Sequence, residues 1–371
     1  MTSAVTVAAA MIVRDEERFL QGCLESLRDR VDEIVVVDTG SVDATTAVAE
    51  RGGARLLHHK WTQDFARARN VALDAVTCDW VLYIDADERL RIPAGGRLGA
   101  QIDPHAIAAF VRFRPKTAYT RYREIRLFRS DPRLRFEGRI HETIQRSIED
   151  IGAQDGLGLA QTPVEIDHLG YDGNQSHKHA RNLPFLEDAV RSHPGRVYYW
   201  YHLAETLAAL GRKVEAEAAA QEGLACALQD PSPKQRADAS MIVQILVRLK
   251  MERNEDPLAL IEAGLERVPE DFALLFLRGR ALLAQDRPSD ALEIALRLRA
   301  IDTEALQDGL LAFETALFRD KACEMAALAC LRLERRKDAA AHFVEAARIA
   351  PNEPAYRIKA AALAGAACAV N

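Results

Sequence analysis

The sequence predicts two domains, an α/β domain with a mostly parallel sheet and an all-α domain of helical hairpins that follows it. Up to about position 130 the chain alternates short apolar runs with amphipathic helical segments, the order typical of a sheet covered by helices. From about residue 185 onward the pattern is almost wholly helical. A length of 371 residues is also natural for two domains. We expect the domains to cover residues 1–190 and 191–371.

Strands and helices are expected to alternate from the N-terminus as far as Ile84. The strands are expected over 5–13, 34–37, 55–59 and 80–84, and the helices over 16–30, 43–51 and 65–76. The run from Ile34 to Val37 is wholly apolar and β-branched, which suits a strand covered on both faces. Because this order gives a parallel sheet, ligands are expected at the carboxyl ends of the strands, where Asp38 and Asp85 stand.

Composition excludes several classes of function. Hydrophobic residues make up 49% of the chain and charged residues 28%, as in an ordinary soluble protein, and the net charge of −6 gives no sign of nucleic-acid binding. The six cysteines are scattered without a CxxC pair, which favours reduced thiols in a cytoplasmic protein. The apolar N-terminus lacks a basic region and is interpreted as a buried strand, not as a signal peptide. No apolar stretch is long enough to span a membrane.

The motif Asp85-Ala86-Asp87 follows an apolar strand, so two carboxylates are expected in a loop that faces the ligand cleft. Hard divalent cations such as Mn²⁺ and Mg²⁺ prefer oxygen ligands, and they combine one or two carboxylates with substrate phosphate oxygens. Such a metal neutralises the charge that builds up on a departing diphosphate. The alternative is a solvated acidic turn, since so short a motif is common by chance.

Two further positions suit a nucleotide. Asp38 can accept hydrogen bonds from a ribose or from a uracil imide, and Gly40 lets the backbone turn sharply behind it. Arg69, near the start of a helix, can pair with a base edge or a phosphate. The alternatives are structural: Ser41 or Asp43 caps a helix, and the arginine lies on the surface.

A third group of chemically active side chains lies between residues 126 and 171, in the segments RLFR, FEGRIHE and IDHLGY. It offers candidate bases, a candidate metal-binding histidine and arginines that can pair with a diphosphate. Taken singly, each histidine is more often a structural hydrogen-bond partner. Residues 131–185 are rich in Gly, His and Asp, and we expect them to form an irregular acceptor loop or lid.

Absent motifs exclude other classes. The sequence has no GxGxxG after the first strand, no GxxxxGK[ST] and no GxSxG. A sugar-phosphate nucleotidyltransferase needs a glycine-rich, basic stretch after the first strand, where Arg14-Asp15-Glu16-Glu17 stands instead. A non-catalytic scaffold, in which the helical hairpins bind partners, is a further alternative. The intact Asp85-Ala86-Asp87 motif and the His141-Glu142 pair argue against it.

The helical half carries a degenerate repeat. Small residues at the starts of the expected second helices align as Ala216, Pro257, Ala291 and Ala339. The step from Pro257 to Ala291 matches the tetratricopeptide period of about 34 residues. The other two steps are longer, so the array is irregular. The alternative is an unrelated helical bundle.

Taken in order, the motifs resemble family 2 glycosyltransferases of the GT-A fold. The resemblance rests on MIVRDEERFLQGCLESL, VDEIVVVDTGSVDATTAVAERGGA, W-x2-DFARARNVAL and DWVLYIDADE. RLFR, F-x-G-RIHE and I-x-HLGY resemble a branch in which tetratricopeptide repeats often follow the catalytic domain. The peptide S-glycosyltransferases of glycocin biosynthesis look like its nearest members. Lipopolysaccharide-core transferases are similar in the catalytic domain and lack the repeats.

This resemblance implies inverting transfer from a nucleotide-sugar, most often a UDP-sugar, with Mn²⁺ or Mg²⁺ as a cofactor. Arg14 is expected to lie against the base, and Asp87 is the expected direct metal ligand. Glu142 is the expected acceptor-side base, with Glu137 as the alternative. The full set of site residues is Val13, Arg14, Glu16, Asp38, Arg69, Asp85 and Ala86 for the nucleotide-sugar, Asp87, His168 and Asp85 for the metal, and Glu142, His141 and Glu137 for catalysis. Two mild departures from the family, DEE for NEE and GSVD for GSTD, remove no expected ligand.

The expected reaction is an in-line displacement that inverts the anomeric carbon. A carboxylate takes the acceptor proton, which contributes roughly 10²–10⁴-fold to the rate. The acceptor stays open between a peptide or protein, a saccharide and a small metabolite such as a natural product. A homodimer is expected through residues after about 190, with residues 274–277 and the final helix, 355–370, as contacts.

Overall fold

The chain forms two structural units. The computed structural model describes residues 5–170, 176–228 and 232–368. The first unit contains the residues up to 174 together with a short segment from far along the chain, Gln307–Ala312, and the second contains the remainder. The boundary expected near residue 190 falls inside a helix of the second unit, Ser176–Ser192.

The first unit has an α/β architecture, as the sequence predicts. Its strands are β1 (Val7–Val13), β2 (Glu33–Asp38), β3 (Arg55–His58), β4 (Trp80–Tyr83), β5 (Glu88–Arg91), β6 (Ala106–Arg114), β7 (Tyr122–Arg129) and β8 (Gly158–His168). Its helices are α1 (Glu17–Leu27), α2 (Thr45–Arg51), α3 (Phe65–Ala75) and α4 (Gln145–Asp155). Every strand and helix expected before Asp85 is confirmed, although several begin or end slightly earlier or later than expected.

One eight-stranded sheet, in the order β3-β2-β1-β4-β7-β6-β8-β5, organises this unit. The first four strands of the sequence run parallel, and β7 continues the sheet antiparallel to β4. Both faces of the parallel half are covered: Val36 of β2 packs with Leu20 and Leu24 of α1, whereas Val35 and Val37 belong to a second core on the other face. The run of apolar residues in β2 is therefore buried on both sides, as expected.

The expectation of an irregular region over residues 131–185 is wrong for much of that stretch. Residues 145–155 form α4, and residues 158–168 form the long strand β8. Strand β8 pairs with both β5 and β6, so its polar residues are held by sheet hydrogen bonds and not by a loop. Val164 and Ile166 point into the core between more polar neighbours, an alternation that the Gly, His and Asp content concealed. Tyr171, the last residue of the IDHLGY segment, lies outside the described residues.

The second unit is all-α in its described residues. Its helices are α5 (Ser176–Ser192), α6 (Val197–Ala209), α7 (Lys213–Ala227), α8 (Pro233–Glu252), α9 (Leu258–Arg267), α10 (Phe272–Ala284), α11 (Pro288–Arg299), α12 (Asp320–Arg332), α13 (Arg336–Ile349) and α14 (Pro354–Cys368). Helices α6 to α13 form four consecutive pairs, consistent with the predicted hairpins. Throughout the part of the chain that the structure describes, we find no helix with the length and apolar character needed to cross a bilayer.

The alignment of the four hairpins needs one correction. Ala216, Ala291 and Ala339 are each the fourth residue of a second helix, and all three are fully buried, because a small side chain lets paired helices approach closely. Pro257 instead precedes α9, and the fourth position of that helix is the buried Ile261. The step from Pro257 to Ala291 therefore does not join equivalent positions.

Candidate active site

The site residues expected at strand ends do lie at one edge of the sheet. Val13 ends β1 and Asp38 ends β2, and the two residues stand opposite each other in the register of these parallel strands. Asp85 and Asp87 follow β4, which pairs with the other side of β1. Because the carboxyl ends of parallel strands meet at one edge, the structure brings all four positions to the place where α/β proteins bind ligands.

The loops after β1 and β2 are tied together by reciprocal hydrogen bonds. The backbone N–H of Asp15 donates to Ser41 Oγ at 2.9 Å, and the N–H of Val42 donates to Asp15 Oδ1 at 2.8 Å. The N–H of Glu16 donates to Thr45 Oγ1 at 2.7 Å. The acidic residues after β1 thus organise the loop that follows β2, a role that the sequence did not suggest for them.

Asp38 is buried and holds its own loop. Its carboxylate accepts hydrogen bonds from the N–H groups of Gly40 and Ser41, at 3.2 and 3.0 Å, and lies 3.4 Å from His58 Nδ1. Burial acts to raise the pKa of Asp38, but the hydrogen bonds from Ser41 and Gly40 outweigh it and lower the pKa below its ordinary value. These hydrogen bonds form a turn within the loop and leave an ionised carboxylate at the strand end. Neither Ser41 nor Asp43 is the cap of α2, because the cap position is Ala44, which has no side-chain hydrogen bond. The side chain of Arg14 beside it is half exposed.

Asp87 and His168 form a direct pair. Asp87 Oδ2 lies 3.0 Å from His168 Nε2, and His168 Nδ1 lies 2.7 Å from the carbonyl oxygen of Pro115. A carbonyl can only accept, so Nδ1 carries a proton and Nε2 is the nitrogen turned towards the carboxylate. Burial lowers the pKa of His168, but the hydrogen bond and charge of Asp87 outweigh it and raise the pKa to about 9.

This pair fits two ligands of a divalent cation. Two cis ligands at about 2.1 Å from an octahedral ion lie about 3 Å apart, which matches the distance of 3.0 Å between Asp87 Oδ2 and His168 Nε2. Anchoring one ring nitrogen of a histidine to a carbonyl is also how proteins orient a metal ligand. Within the described ranges we find no group of three or more His, Cys, Asp or Glu side chains that could hold a metal ion. The remaining positions would fall to water and phosphate oxygens.

Arg69 joins the strand-end aspartate to the candidate base. Its Nη2 donates to Asp85 Oδ1 at 2.9 Å, and its Nε donates to Glu142 Oε1 at 2.5 Å. Burial acts to raise the pKa of Asp85, but the charges of Arg69 and Arg126 outweigh it and lower the pKa. The structure therefore brings Glu142 next to the Asp85 loop, although the two residues are far apart in the sequence.

The segment before Glu142 is a loop closed on itself. Glu137 and Thr143 exchange two backbone hydrogen bonds of 2.8 and 2.9 Å, so residues 138–142 lie between them. His141 has a positive φ of 49° inside this loop, and Glu137 is exposed at its base. The N–H of Phe65 donates to the carbonyl of Arg139 at 3.1 Å, which ties the loop to the start of α3.

The sequence did not predict the buried ion pair that follows the Asp85-Ala86-Asp87 motif. Glu88 is almost fully buried and accepts two hydrogen bonds from Arg126, at 3.0 and 3.2 Å. Burial raises the pKa of Glu88 to about 7, against the effect of Arg126. Arg126 also lies against the rings of Tyr83 and Phe113, and Arg129 donates to the carbonyl of Ala106. These two arginines of RLFR are structural, so the expected pairing with a diphosphate does not fit them.

Similarity to known proteins assigns both halves of the chain. Residues 9–154 match the model of glycosyl transferase family 2, and residues 183–232 and 243–305 match a tetratricopeptide repeat model. A TPR repeat-containing protein from Synechococcus elongatus is 37% identical over 237 residues, which are 61% of this chain and 58% of that protein. The SPbeta prophage-derived glycosyltransferase SunS of Bacillus subtilis is 24% identical over 224 residues, which are 57% of this chain and 51% of that protein. The chain thus spans little more than half the length of these relatives.

Shorter and weaker likenesses extend this picture. A lipopolysaccharide core biosynthesis glycosyltransferase, LpsC of Rhizobium meliloti, is 36% identical over 95 residues, 24% of this chain and 34% of that protein. Among solved structures, a mannosyltransferase from Pyrobaculum calidifontis is 18% identical with a TM-score of 0.41, over 68% of this chain and 87% of that one. A TM-score this low supports no conclusion about what this chain binds. The matched residues and the sheet show that residues 9–154 are a glycosyl transferase family 2 domain, which tetratricopeptide repeats follow in the same chain.

Proposed function

We propose that this protein transfers a sugar from a UDP-sugar to an acceptor, with inversion at the anomeric carbon and with a bound divalent cation. The observation that carries the proposal is the pair formed by Asp87 and His168 at the carboxyl edge of a family 2 glycosyltransferase sheet. That pair supplies one oxygen and one nitrogen at the spacing of two metal ligands, next to a second carboxylate, Asp85.

The nucleotide is proposed to bind over the ends of β1 and β2. Asp38 offers an ionised carboxylate for a ribose or uracil, because its pKa is lowered. Val13 ends β1 at the same edge, Glu16 and Ala86 lie in the loops that follow β1 and β4, and the half-exposed side chain of Arg14 can lie against the base. The hydrogen bonds between the two loops hold this surface before any ligand arrives, which reduces the entropy lost on binding.

Asp87 and His168 are the residues that would hold Mn²⁺ or Mg²⁺. When bound, such an ion neutralises the negative charge that develops on the leaving diphosphate. The contribution of the chain itself is orientation: the hydrogen bond from His168 Nδ1 to the carbonyl of Pro115 turns Nε2 towards Asp87, and a bound ion would replace the proton on Nε2.

Glu142 is the proposed base that takes the acceptor proton. Its carboxylate is linked through Arg69 to Asp85, on the loop that also carries Asp87, whereas Glu137 is exposed at the base of its loop. A base must lie within hydrogen-bond reach of the group it deprotonates, so the residue tied to the donor side is the better candidate.

The acceptor is proposed to be a peptide or protein side chain. Support comes from the tetratricopeptide repeats, which leave a concave surface for an extended partner, and from the similarity to SunS. A saccharide acceptor is the alternative, since LpsC is similar over part of the catalytic domain. We also propose that the protein is a homodimer through its repeats and acts in the cytoplasm. Light scattering of the full chain tests the dimer, and a monomer at micromolar concentration would refute it.

The experiment that tests the function is UDP release. The full chain is mixed with UDP-glucose, UDP-galactose, UDP-N-acetylglucosamine or UDP-N-acetylgalactosamine, with and without Mn²⁺, and UDP is measured over time. Metal-dependent release from one donor supports a transferase, and mass spectrometry of candidate peptides and saccharides then identifies the acceptor. If the chain binds UDP but forms no UDP from any of these donors, it is a scaffold, and the proposal fails.

A further inference from the structure

We infer that Arg69 is a positioning residue that holds the proposed base Glu142 in place, and that it does not bind the nucleotide. This inference rests on the proposed transferase function and goes beyond it, because it assigns to Arg69 a role different from the one its sequence motif suggests. Three observations carry it. The side chain of Arg69 is buried, its N–H donors are divided between two carboxylates, and the neighbouring Asn70 binds the start of the loop that ends at Glu142.

Burial removes Arg69 from the surface that a nucleotide would touch. Only 8% of the residue is exposed. Its guanidinium carbon lies 5.0 Å from the centre of the Tyr83 ring and 5.6 Å from the centre of the Phe136 ring. Aromatic rings cover a guanidinium favourably by cation–π attraction. The remaining nitrogen, Nη1, is buried without a hydrogen-bond partner among the described residues, so a phosphate or a base could reach it only if the surrounding side chains moved.

The donors of Arg69 are divided between two carboxylates from distant segments. Nη2 binds Asp85, which follows β4, and Nε binds Glu142, which ends the FEGRIHE loop. A guanidinium is planar and rigid, so the two carboxylates are held at a fixed separation. Both carboxylates carry negative charge, and the cation between them offsets their repulsion.

Only one oxygen of Glu142 is used by this contact. Oε1 accepts the hydrogen bond from Arg69, and Oε2 has no hydrogen-bond partner among the residues that the structure describes. Arg69 thereby fixes the rotation of the carboxylate and leaves Oε2 as the oxygen that takes the acceptor proton. Reactions that depend on such alignment lose about 10²-fold in rate when a group shifts by about 1 Å.

The residue next to Arg69 anchors the other end of the same loop. Asn70 Nδ2 donates to the carbonyl of Phe136 at 3.0 Å, and the N–H of Phe136 donates to Asn70 Oδ1 at 2.9 Å. Two consecutive residues of α3 therefore hold the FEGRIHE loop at its first residue and at its last. A nucleotide-binding role for Arg69 would not explain this double attachment.

The test compares Arg69→Lys and Arg69→Gln with the full-length wild type. Lysine keeps the charge but cannot hold two carboxylates in one plane, and glutamine keeps an N–H donor without the charge. Each variant is measured for UDP affinity by calorimetry with Mn²⁺ and for UDP release from the donor that the wild type uses. We expect release to fall on the order of 10²-fold, with UDP affinity unchanged. Arg67→Lys, an exposed arginine on the same helix, is the matched control and should behave as the wild type.

A double substitution separates positioning from other roles. In a Glu142→Gln background, Arg69→Lys should cause no further loss, because both changes remove the same oriented base. The inference is overturned if the two losses multiply, or if UDP affinity falls in step with the rate. If the wild type releases UDP and either of these results is found, only the positioning role of Arg69 is refuted. A wild type that releases no UDP from any donor refutes the transferase function and the positioning role together.

Discussion

Asn70 satisfies both backbone groups of Phe136, with its amide nitrogen donating to the carbonyl at 3.0 Å and its amide oxygen accepting from the N–H at 2.9 Å. This bidentate contact joins the DFARARN motif on α3 to the FEGRIHE motif, which lies far along the chain between β7 and α4. The two motifs are therefore one structural feature, although each looks independent in the sequence.

Replacing Asn70 with alanine tests this attachment. Asn70→Ala removes both partners of Phe136, and leaving partly buried backbone groups unpaired costs about 1–3 kcal/mol. We expect the free energy of unfolding, measured in urea, to fall by that amount, and UDP release to fall because the loop that carries Glu142 loses an anchor. Arg67→Ala on the same helix is the control. Equal stability of the two variants would contradict the prediction.

Asp87→Ala tests the proposed metal pair. Removing one of two protein ligands should abolish the dependence of UDP binding on Mn²⁺ and should stop UDP release, while the fold persists. Calorimetry of UDP with and without Mn²⁺ is the measurement. Asp103→Ala, an exposed aspartate in the same unit, should retain the metal dependence. Near-normal turnover by a folded Asp87→Ala protein would remove Asp87 from the site.

Asp38→Asn tests the proposed nucleotide contact. The amide keeps the size of the side chain and loses its charge, so UDP affinity should fall by about 1–3 kcal/mol, the range for a hydrogen bond to a charged group. Unchanged UDP affinity in calorimetry would take Asp38 out of the nucleotide site.

The same substitution has a consequence for stability against pH. Because the folded state lowers the pKa of Asp38 below its ordinary value of 3.8, the carboxylate stabilises the fold at pH values above 3.8. That stabilisation is lost as the pH falls through the lower pKa of the folded state. The difference in unfolding free energy between wild type and Asp38→Asn should therefore be largest at neutral pH and shrink in acid. A difference that grows on acidification would reverse the assigned shift.

Glu142→Gln tests the proposed base against its alternative. An amide cannot take the acceptor proton, so the transfer rate should fall by roughly 10²–10⁴-fold, while donor affinity is kept. Glu137→Gln is the matched substitution in the same loop and should leave the rate close to that of the wild type. If the loss follows Glu137 instead, the two roles are exchanged.

Replacing Asp308 tests whether the segment Gln307–Ala312 stabilises the first unit. Its carboxylate accepts two hydrogen bonds from Arg112, at 2.9 and 3.0 Å, and pairs with Arg123, which stands opposite Arg112 on the neighbouring strand. Like charges opposite each other destabilise a sheet, so losing the carboxylate between the two arginines should lower the free energy of unfolding. We expect Asp308→Asn to lower it by about 1 kcal/mol or less, because the side chain of Asp308 is half exposed. Urea unfolding of this variant and of Glu304→Gln, its exposed control, is the measurement. A variant more stable than the wild type would show that the two arginines do not need this carboxylate.

The sequence by itself determined the parallel half of the sheet and the strand-end residues. Periodicity is a local property, and an apolar β-branched run such as Ile34 to Val37 has few ways to be buried other than as a central strand. Once the strands alternate with helices, the carboxyl ends must meet, so Asp38 and Asp85 were placed without knowledge of the structure. Strands β5, β6, β7 and β8 were not predicted, because their pairing joins segments that are far apart in the chain, which local periodicity does not reveal.

Tertiary structure alone decided which charged residues meet. Arg69 looks like a nucleotide ligand in its motif, yet the fold places it between Asp85 and Glu142, and Arg126 is paired with the buried Glu88. The repeat step that began at Pro257 failed for a similar reason, because spacing does not record where a helix begins. Contacts between residues far apart in the chain depend on how strands and loops close on one another. Local patterns do not carry that information, since the free energy of such contacts comes from burial and pairing in three dimensions.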